Sequence, residues 1–289
     1  MPATPSIADQ HHLKTLQYKD AANLTARSSL HERFSTNRTG WFNWVFEQLA
    51  GLPEQSRILE LGCGPAWLWR HNRAHIPAGW RVVLTDLSPG MVDQARANLS
   101  QQNAARFEFD VIDAQAIPYA DASFDAVLAN HMLYHVPDRP RAFSEIRRAL
   151  KAGGQLFAAA NGQNHMAELW AMVLQTAGAG RGANRSELHF GLENGSEQLA
   201  PWFSSVERRD YHDSLLVTEA EPLIAYATSS ELWGVQGDAA ATRLLAERVR
   251  QQLASEGVIR ITKNSGMFVA RVGGARQEDA RRARAWPCR

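Results

Sequence analysis

The sequence predicts an α/β fold, in which a mostly parallel sheet carries helices on both faces. Short apolar segments of strand character alternate with helical segments between residues 57 and 160. Right-handed crossovers between parallel strands place such helices on both sides of the sheet. After Asn161 the alternation stops, which indicates an additional covering segment.

The elements follow in chain order from hydrophobic periodicity and turn residues. The segment up to about residue 50 is predicted to be helical. Leu24, Arg27, His31 and Phe34 fall near one helical face, and Trp41, Trp44, Val45 and Leu49 repeat the i, i+3, i+4 pattern. In the alternating region, strands are predicted at 57–61, 80–86, 106–111, 124–129 and 155–160, and helices at 67–75, 89–99 and 139–150. Beyond it we predict helices at 164–177, 219–233 and 238–256, a glycine-rich loop at 178–185, and strands at 206–212 and 266–271.

Composition excludes several classes of protein. The 31 basic and 30 acidic residues give a formal charge of +1, which argues against a surface built to bind nucleic acid. Two cysteines, Cys63 and Cys288, cannot make a disulfide framework or a cysteine metal site. With no apolar run of membrane-spanning length and no secretory signal pattern, a cytoplasmic protein with no membrane partner is expected.

The candidate chemistry begins where the first strand ends, at Glu60-Leu-Gly62-Cys63-Gly64. Two glycines between a strand and a helix let the backbone and the helix N-terminus approach a ligand closely. The full dinucleotide pattern G-x-G-x-x-G is missing, and Glu60 would repel a pyrophosphate but attract an amine or a sulfonium. Asp86 ends the next strand, where an acid can accept hydrogen bonds from both ribose hydroxyls.

With these residues, the region from Arg57 to Ala160 resembles the class I S-adenosylmethionine-dependent methyltransferases. It looks most like the type 11, small-molecule branch that contains the ubiquinone and menaquinone C-methyltransferases. Five landmarks carry the resemblance in order: Glu60-x-Gly62-x-Gly64, Asp86, Asp113-Ala114, Asn130-His-Met-Leu-Tyr-His-Val-Pro-Asp138 and Leu150-Lys-Ala-Gly-Gly154. Ala66, where a third glycine is usual, and Ala152, where proline is common, are mild departures.

The resemblance implies a Rossmann-like doubly wound sheet of seven strands in the order 3-2-1-4-5-7-6, with the last strand antiparallel. It also implies an N-terminal helical lid and helical insertions after strands 5 and 6. The chain is accordingly divided into a lid (1–50), a cofactor-binding core (51–161), covering helices with the last strands of the same domain (162–272), and a basic, flexible tail (273–289).

The same resemblance implies the residues that bind S-adenosylmethionine. The glycine turn would line the methionine and ribose, with Glu60 facing the amino group and the carbonyl of Asn130 approaching the methionine. Asp86 would bind the ribose, while Leu87, Asp113 and the backbone amide of Ala114 would contact the adenine. The complete set is Glu60, Gly62, Cys63, Gly64, Asp86, Leu87, Asp113, Ala114 and Asn130.

Methyl transfer is an in-line displacement that depends mainly on positioning, so a base is needed only when the nucleophile starts protonated. The candidates are His131, Tyr134 and His135, which follow a central strand. Alternatively, His135 caps or packs against the next helix, and Tyr134 is a core or lid residue. The acceptor atom, carbon, nitrogen or oxygen, stays open.

Substrate choice is expected to come from outside the core. The candidates are Tyr18, Arg27, Phe34, Trp41, His165, Trp170 and Arg185. The alternative interpretation is ordinary helix packing for the aromatic residues and surface charge for the arginines. We expect a small-molecule acceptor, no nucleic acid and no metal, and leave a homodimer open. Two other functions also stay open: methylation of RNA or protein, and a non-catalytic regulatory protein that binds the cofactor.

Overall fold

The computed structural model describes residues 8–100, 106–177, 189–230, 233 and 235–274. The strands are β1 (Arg57–Leu61), β2 (Arg81–Asp86), β3 (Phe107–Val111), β4 (Phe124–Asn130), β5 (Leu150–Asn161), β6 (Ser205–Val217) and β7 (Ile259–Arg271). The helices are α1 (Gln10–His12), α2 (Ala22–Phe34), α3 (Trp41–Glu47), α4 (Trp67–His71), α5 (Pro89–Leu99), α6 (Arg139–Ala149), α7 (Ala167–Ala177), α8 (Gly195–Leu199), α9 (Ala220–Thr228) and α10 (Ala239–Glu256). A π-helical turn (Leu13–Gln17) follows α1, and a 3-10 turn (Leu133–His135) follows β4.

The sheet has seven strands in the order β3-β2-β1-β4-β5-β7-β6, which confirms the predicted order. Strands β1 to β5 pair in parallel, while β7 is antiparallel to both β5 and β6. Successive residues of β1 belong to different core clusters, with Leu59 and Leu61 in one and Ile58 in the other. The sheet is therefore buried on both faces, as parallel sheets are.

A third core cluster forms the cover above the sheet. Leu30 and Phe34 of α2 pack there with Leu223 of α9 and Leu245 of α10. Strands β6 and β7 extend into this cover, where Val217 pairs with Ile259. The predicted strands at 206–212 and 266–271 were therefore too short, because the covered half of the ribbon carries polar residues that weaken the apolar alternation.

Several other boundaries differ from the predictions. Helix α4 ends at His71 because Asn72 caps it and donates to the carbonyls of Leu68 and Phe42. Helix α9 ends at Thr228, and β5 begins at Leu150, which pairs with Phe124 ahead of a bulge. By contrast, β1 and α5 have their predicted bounds. The predicted loop at 178–185, and the predicted tail from residue 275 onward, lie outside the described residues.

None of the helices described combines the length and apolar character required to cross a lipid bilayer. The N-terminal segment contacts both the β6–β7 ribbon and the start of α5. Thr36 donates its backbone N–H to the Ser214 carbonyl on β6, and Ser88 Oγ, just before α5, donates to the Tyr18 carbonyl. This segment therefore lies across the carboxyl edge of the sheet.

Candidate active site

A cavity of about 580 Å³ lies at the carboxyl ends of β1, β2 and β4. In the order 3-2-1-4, the connections leave β1 and β4 in opposite directions, and open α/β sheets bind ligands at such a switch point. Residues of α2, α3 and the turns before them roof the cavity. The fold thus places the predicted glycine turn beneath the predicted lid.

The glycine turn after β1 requires backbone conformations that favour glycine. Gly62 has φ +68° and Gly64 φ +52°. A Cβ added at Gly62 would lie 2.9 Å from the Cβ of Met132, so the turns after β1 and β4 meet at this point. Ala66, which stands where a third glycine is usual, also adopts a left-handed conformation, with φ +58°. The backbone there is the one a glycine would adopt, although the residue differs.

Glu60 is buried at the base of this turn, with 3% of its surface exposed. Its carboxylate accepts hydrogen bonds from Trp69 Nε1 at 2.5 Å and from Asn130 Nδ2 at 3.0 Å. Burial raises the pKa of Glu60 to about 7, and these two hydrogen bonds oppose the rise. Among the described residues, no Lys, Arg or His pairs with this carboxylate, and a positively charged ligand would supply the missing counter-charge.

Asp86 and Asp113 bring two more carboxylates to the cavity wall. Asp86 accepts the backbone N–H groups of Gly64 at 3.0 Å and Ser88 at 2.9 Å, while burial raises its pKa. Burial alone would raise the pKa of Asp113, but hydrogen bonds from Gln115 and Gln10 take it below the usual value. Cys63, Leu87 and Ala114, which are also predicted cofactor residues, line the same cavity.

The end of β4 presents two side chains in which one buried polar atom has no hydrogen-bond partner among the described residues. Asn130 donates to Glu60, but its Oδ1 is buried and has no hydrogen-bond partner among the described residues. His131 has φ +52°, its ring lies 4.9 Å from that of Trp41, and its buried Nδ1 also lacks a partner there. Burial, helped by the charge of Lys263, lowers the pKa of His131 to about 4, so the imidazole is neutral at pH 7.

The other two base candidates lie in the turn that follows. Burial raises the pKa of Tyr134 far above its usual value, so its phenol stays protonated and can donate a hydrogen bond but not accept a proton at neutral pH. His135 Nε2 lies 3.0 Å from the hydroxyl of Tyr18. That contact ties the turn to the N-terminal segment, which is a structural role for His135.

The predicted substrate residues separate into two groups. Tyr18, Arg27, Trp41 and His165 line the cavity. Phe34 packs into the core of the cover, and Trp170 packs against Trp233 at a ring distance of 4.3 Å. Neither is among the residues that line the cavity, and their contact with substrate stays a prediction. Both follow helical spacing, which reports burial but not the identity of the neighbour. Arg185 lies outside the described residues.

Sequence reasoning missed a buried ion pair and a second imidazole. Lys263 Nζ on β7 lies 2.6 Å from Asp213 Oδ2 on β6. The side chain of Lys263 is 5% exposed, and that of Asp213 is 0% exposed. Asp213 also accepts the backbone N–H groups of Thr36 and Asn37, which holds the chain after α2 against the ribbon. His31 lines the cavity one turn after Arg27, and that i, i+4 spacing was the available signal.

Comparisons with known proteins agree with this geometry. Residues 59–158 match the family model described as a methyltransferase domain. Residues 59–158 are a class I methyltransferase domain. The match includes the glycine turn, Asp86, Asp113 and the end of β4, and confirms the resemblance found in the sequence. The methyltransferase domain covers the cavity floor, while the roof lies outside the matched range.

Two curated relatives align with the same region. The malonyl-[acyl-carrier protein] O-methyltransferase of Hahella chejuensis is 37% identical over 107 residues, which is 37% of this chain and 36% of that protein. The ubiquinone/menaquinone biosynthesis C-methyltransferase of Hydrogenovibrio crunogenus is 31% identical over 110 residues, or 38% and 43% of the two chains. The alignments thus span less than half the length of these relatives.

The fold likeness extends further than the sequence likeness. A structure of the phosphoethanolamine N-methyltransferase 2 of Haemonchus contortus in complex with S-adenosyl-L-methionine is 20% identical, with a TM-score of 0.58. The likeness covers 94% of this chain and 61% of that one. The likeness in fold therefore extends beyond residues 59–158, into the segments that cover the methyltransferase domain.

Proposed function

We propose that this chain transfers a methyl group from S-adenosylmethionine to a small-molecule acceptor. The observation that carries the proposal is the meeting of Glu60, Asp86 and Asp113, from the ends of successive strands, in one roofed cavity. Three carboxylates around a glycine turn suit a ligand with a cationic amino acid part, a ribose and an adenine. They do not suit a polyphosphate.

The residues present fit this cofactor. Glu60 is a buried carboxylate without a cation, and Asn130 Oδ1 is a buried acceptor without a donor in the described part of the chain. An ammonium group would supply a positive charge for the Glu60 carboxylate and an N–H donor for Asn130 Oδ1. Charged and polar groups that are buried require such partners. In the proposal, Glu60 and the Gly62–Gly64 turn hold the amino acid part, Asp86 the ribose, and Asp113 with Leu87 and Ala114 the adenine. Once bound, S-adenosylmethionine supplies an electrophilic methyl group on a sulfonium.

The chain itself contributes alignment and exclusion of water. Near-attack positioning alone can supply about 7–11 kcal/mol of rate acceleration in such a displacement. Trp41 stacks over His131 at the cavity wall, and Tyr18 closes the side nearest His135. Where the acceptor must lose a proton, the neutral imidazole of His131 is the group proposed to receive it.

A small acceptor is favoured over RNA or protein for two reasons. The cavity lies within the range of about 300–1,000 Å³ typical of small-molecule sites. The balance of 31 basic and 30 acidic residues offers no strong field for a phosphate backbone. A cytoplasmic location belongs to the same proposal, supported by the free, buried thiol of Cys63.

Calorimetry with S-adenosylhomocysteine, the demethylated product, tests the proposal directly. The wild type is expected to bind it, and Asp86→Asn is expected to weaken binding by about tenfold or more, since one acceptor oxygen becomes a donor. Asp93→Asn, on the exposed side of α5, is the matched control and is expected to bind as the wild type does. Failure to bind, or equal affinities for all three proteins, would contradict the proposal.

Transfer is then followed with methyl-labelled S-adenosylmethionine and separate extracts of small molecules, RNA and protein. Label in the small-molecule extract is the expected result. Label confined to RNA or protein would show that the acceptor is that macromolecule and not a small molecule. Tight binding with no transfer to any extract would favour a regulatory protein.

A further inference from the structure

The cavity has two parts of opposite electrostatic character. The cofactor half is lined by Glu60, Asp86 and Asp113. The acceptor half lies under α2 and is lined by Arg27, His31, His131, Tyr134, Tyr226 and Lys263. The inference below concerns the acceptor half and rests on the proposed function.

Arg27 lines the acceptor half without a carboxylate partner among the described residues. The charge of Lys263 is balanced by Asp213, whose Oδ2 lies 2.6 Å from Lys263 Nζ. Of the Asp and Glu residues in the described ranges, none forms an ion pair with Arg27. Glu32, at the exposed rim, accepts instead from Ser28. Within the described part of the chain, the positive charge of Arg27 is therefore not balanced by a carboxylate.

The present partners of Arg27 use only part of its donor capacity. Nε donates to the Asn23 carbonyl at 3.3 Å, and Nη2 to the Ser229 carbonyl at 3.4 Å. The guanidinium carbon lies 5.6 Å from the centre of the Tyr18 ring. A guanidinium has five N–H donors in a planar fork that matches a carboxylate or a phosphate, and both carbonyl contacts are long.

Two imidazoles beside it are also incompletely bonded. The side chains of His31 and His131 make no hydrogen bond to any residue that the structure describes, and the Nδ1 atom of each is buried. Burial lowers the pKa of both, so they are neutral and add polar contacts without charge. Buried polar groups are normally paired, so their shared location in the cavity wall points to a ligand that pairs with them.

We propose that the acceptor half binds an acceptor that carries an anionic group, a carboxylate or a phosphate, and that Arg27 pairs with that group. The partly buried cation then gains the partner that its desolvation requires. Tyr134 and Tyr226 are protonated at neutral pH, since burial raises the pKa of both, so neither phenol competes there as an anion. Specificity between the halves follows from charge: the cofactor's cation is drawn to one, and the acceptor's anion to the other.

A purely structural role for Arg27 must be separated from this one. Its bond to the Ser229 carbonyl joins α2 to the end of α9, and Gln17 Nε2 donates to the same carbonyl. Loss of Arg27 could therefore loosen the cover. A loosened cover would weaken charged and neutral ligands alike, whereas loss of an anion contact would weaken only the charged ones.

The test measures binding to the protein saturated with S-adenosylhomocysteine, with three probes: benzoate, phenyl phosphate, and benzamide as the neutral counterpart of benzoate. The wild type is expected to bind at least one anion about tenfold or more tightly than benzamide. Arg27→Gln is expected to remove that preference, and Arg27→Lys to retain part of it, because the charge stays and the fork is lost. Arg33→Gln, on the exposed side of the same helix and paired with Glu219, is the matched control and is expected to behave as the wild type.

Several outcomes overturn the inference. These are equally tight binding of benzamide and the anions by the wild type, no binding of either anion at millimolar concentration, or an unchanged preference for anions in Arg27→Gln. Should Arg27→Gln fail to fold, the wild-type comparison of benzoate with benzamide and the Arg27→Lys variant still decide.

A second readout uses the labelled methyl assay. Passing the small-molecule extract over an anion-exchange resin at pH 7 is expected to remove the acceptor. Acceptor activity that stays in the unretained fraction overturns the inference but leaves the proposed function standing. Absence of S-adenosylhomocysteine binding would instead defeat the proposed function itself, so the two failures are distinguishable.

Discussion

The cofactor half and the acceptor half of the cavity are built from different kinds of sequence. Glu60, Asp86 and Asp113 each lie at or just after the end of one of three consecutive strands. Arg27 and His31 come from α2, whereas Lys263 comes from the last strand, β7. One half is thus assembled from neighbouring segments, and the other brings together segments that are far apart in the sequence.

The difference shows how one fold can keep a cofactor site while its acceptor site varies. The cofactor half needs only the parallel strands β1 to β4, whose carboxyl ends meet at one edge. The acceptor half depends on how α2, α9 and the β6–β7 ribbon pack on that edge. This agrees with the family match, which stops at residue 158 and leaves the roof outside.

Removing the buried charge of the cofactor half should have the largest effect. Glu60→Gln is expected to weaken S-adenosylhomocysteine binding by about tenfold to hundredfold at pH 8, because an ammonium loses its carboxylate. Glu54→Gln, an exposed position in the turn before β1, is the control. Equal affinity in Glu60→Gln and the wild type, measured by calorimetry, would remove Glu60 from the cofactor half.

The same variant should make the free protein more stable at high pH. The folded pKa of Glu60, about 7, lies above the usual glutamate value of 4.5, so the ionisation of Glu60 costs stability as pH rises through that window. The full cost above pH 7 is on the order of 3 kcal/mol. Chemical denaturation of ligand-free Glu60→Gln should therefore show a gain over the wild type at pH 8 that vanishes near pH 4.

Wild-type affinity should also depend on pH. As pH falls from 8 to 6, Glu60 takes up a proton and S-adenosylhomocysteine binding weakens, whereas the Glu60→Gln profile stays flat in that range. A wild-type profile that is equally flat would show that the carboxylate does not meet the ligand's cation.

The boundary between the halves can be tested at Gly62, where the two turns meet. Gly62→Ala places a Cβ 2.9 Å from that of Met132, on a backbone with φ +68°. We expect a loss of unfolding free energy of about 1–3 kcal/mol and weaker S-adenosylhomocysteine binding. Gly51→Ala is the control, since a Cβ there meets nothing within 4 Å. If both variants matched the wild type in denaturation and calorimetry, the turn would not be as tight as described.

His131→Asn probes the acceptor half with the smallest expected effect. Asparagine tolerates the positive φ of this position, so the backbone should be kept while the imidazole is lost. We expect kcat to fall by about tenfold, with S-adenosylhomocysteine affinity nearly unchanged, because a base with a pKa of about 4 is weak. A kcat profile in which a titration step near pH 6.5 disappears in His131→Asn would show that the imidazole acts as an ordinary histidine base.

Local patterns were enough to predict the bounds of β1 and α5, because strand runs, a Ser-Pro helix start and glycine turns are decided by nearby residues. The strand order, which the structure also confirms, was implied by the family resemblance and not by local periodicity. Helical periodicity indicated that Phe34 and Trp170 face the interior but not which residues they pack against, and both pack within the cover.

What the amino-acid sequence determined by itself is the order of strands and helices and the carboxylates at the strand ends, since both arise from short-range periodicity and turn chemistry. The tertiary structure alone decided that Lys263 is neutralised by Asp213, that Arg27 has no carboxylate partner within the described ranges, and that His31 and His131 face one cavity. These facts depend on which distant segments pack together. Desolvation shifts the pKa of a buried group and makes an unpaired polar group costly, and it exists only after that packing.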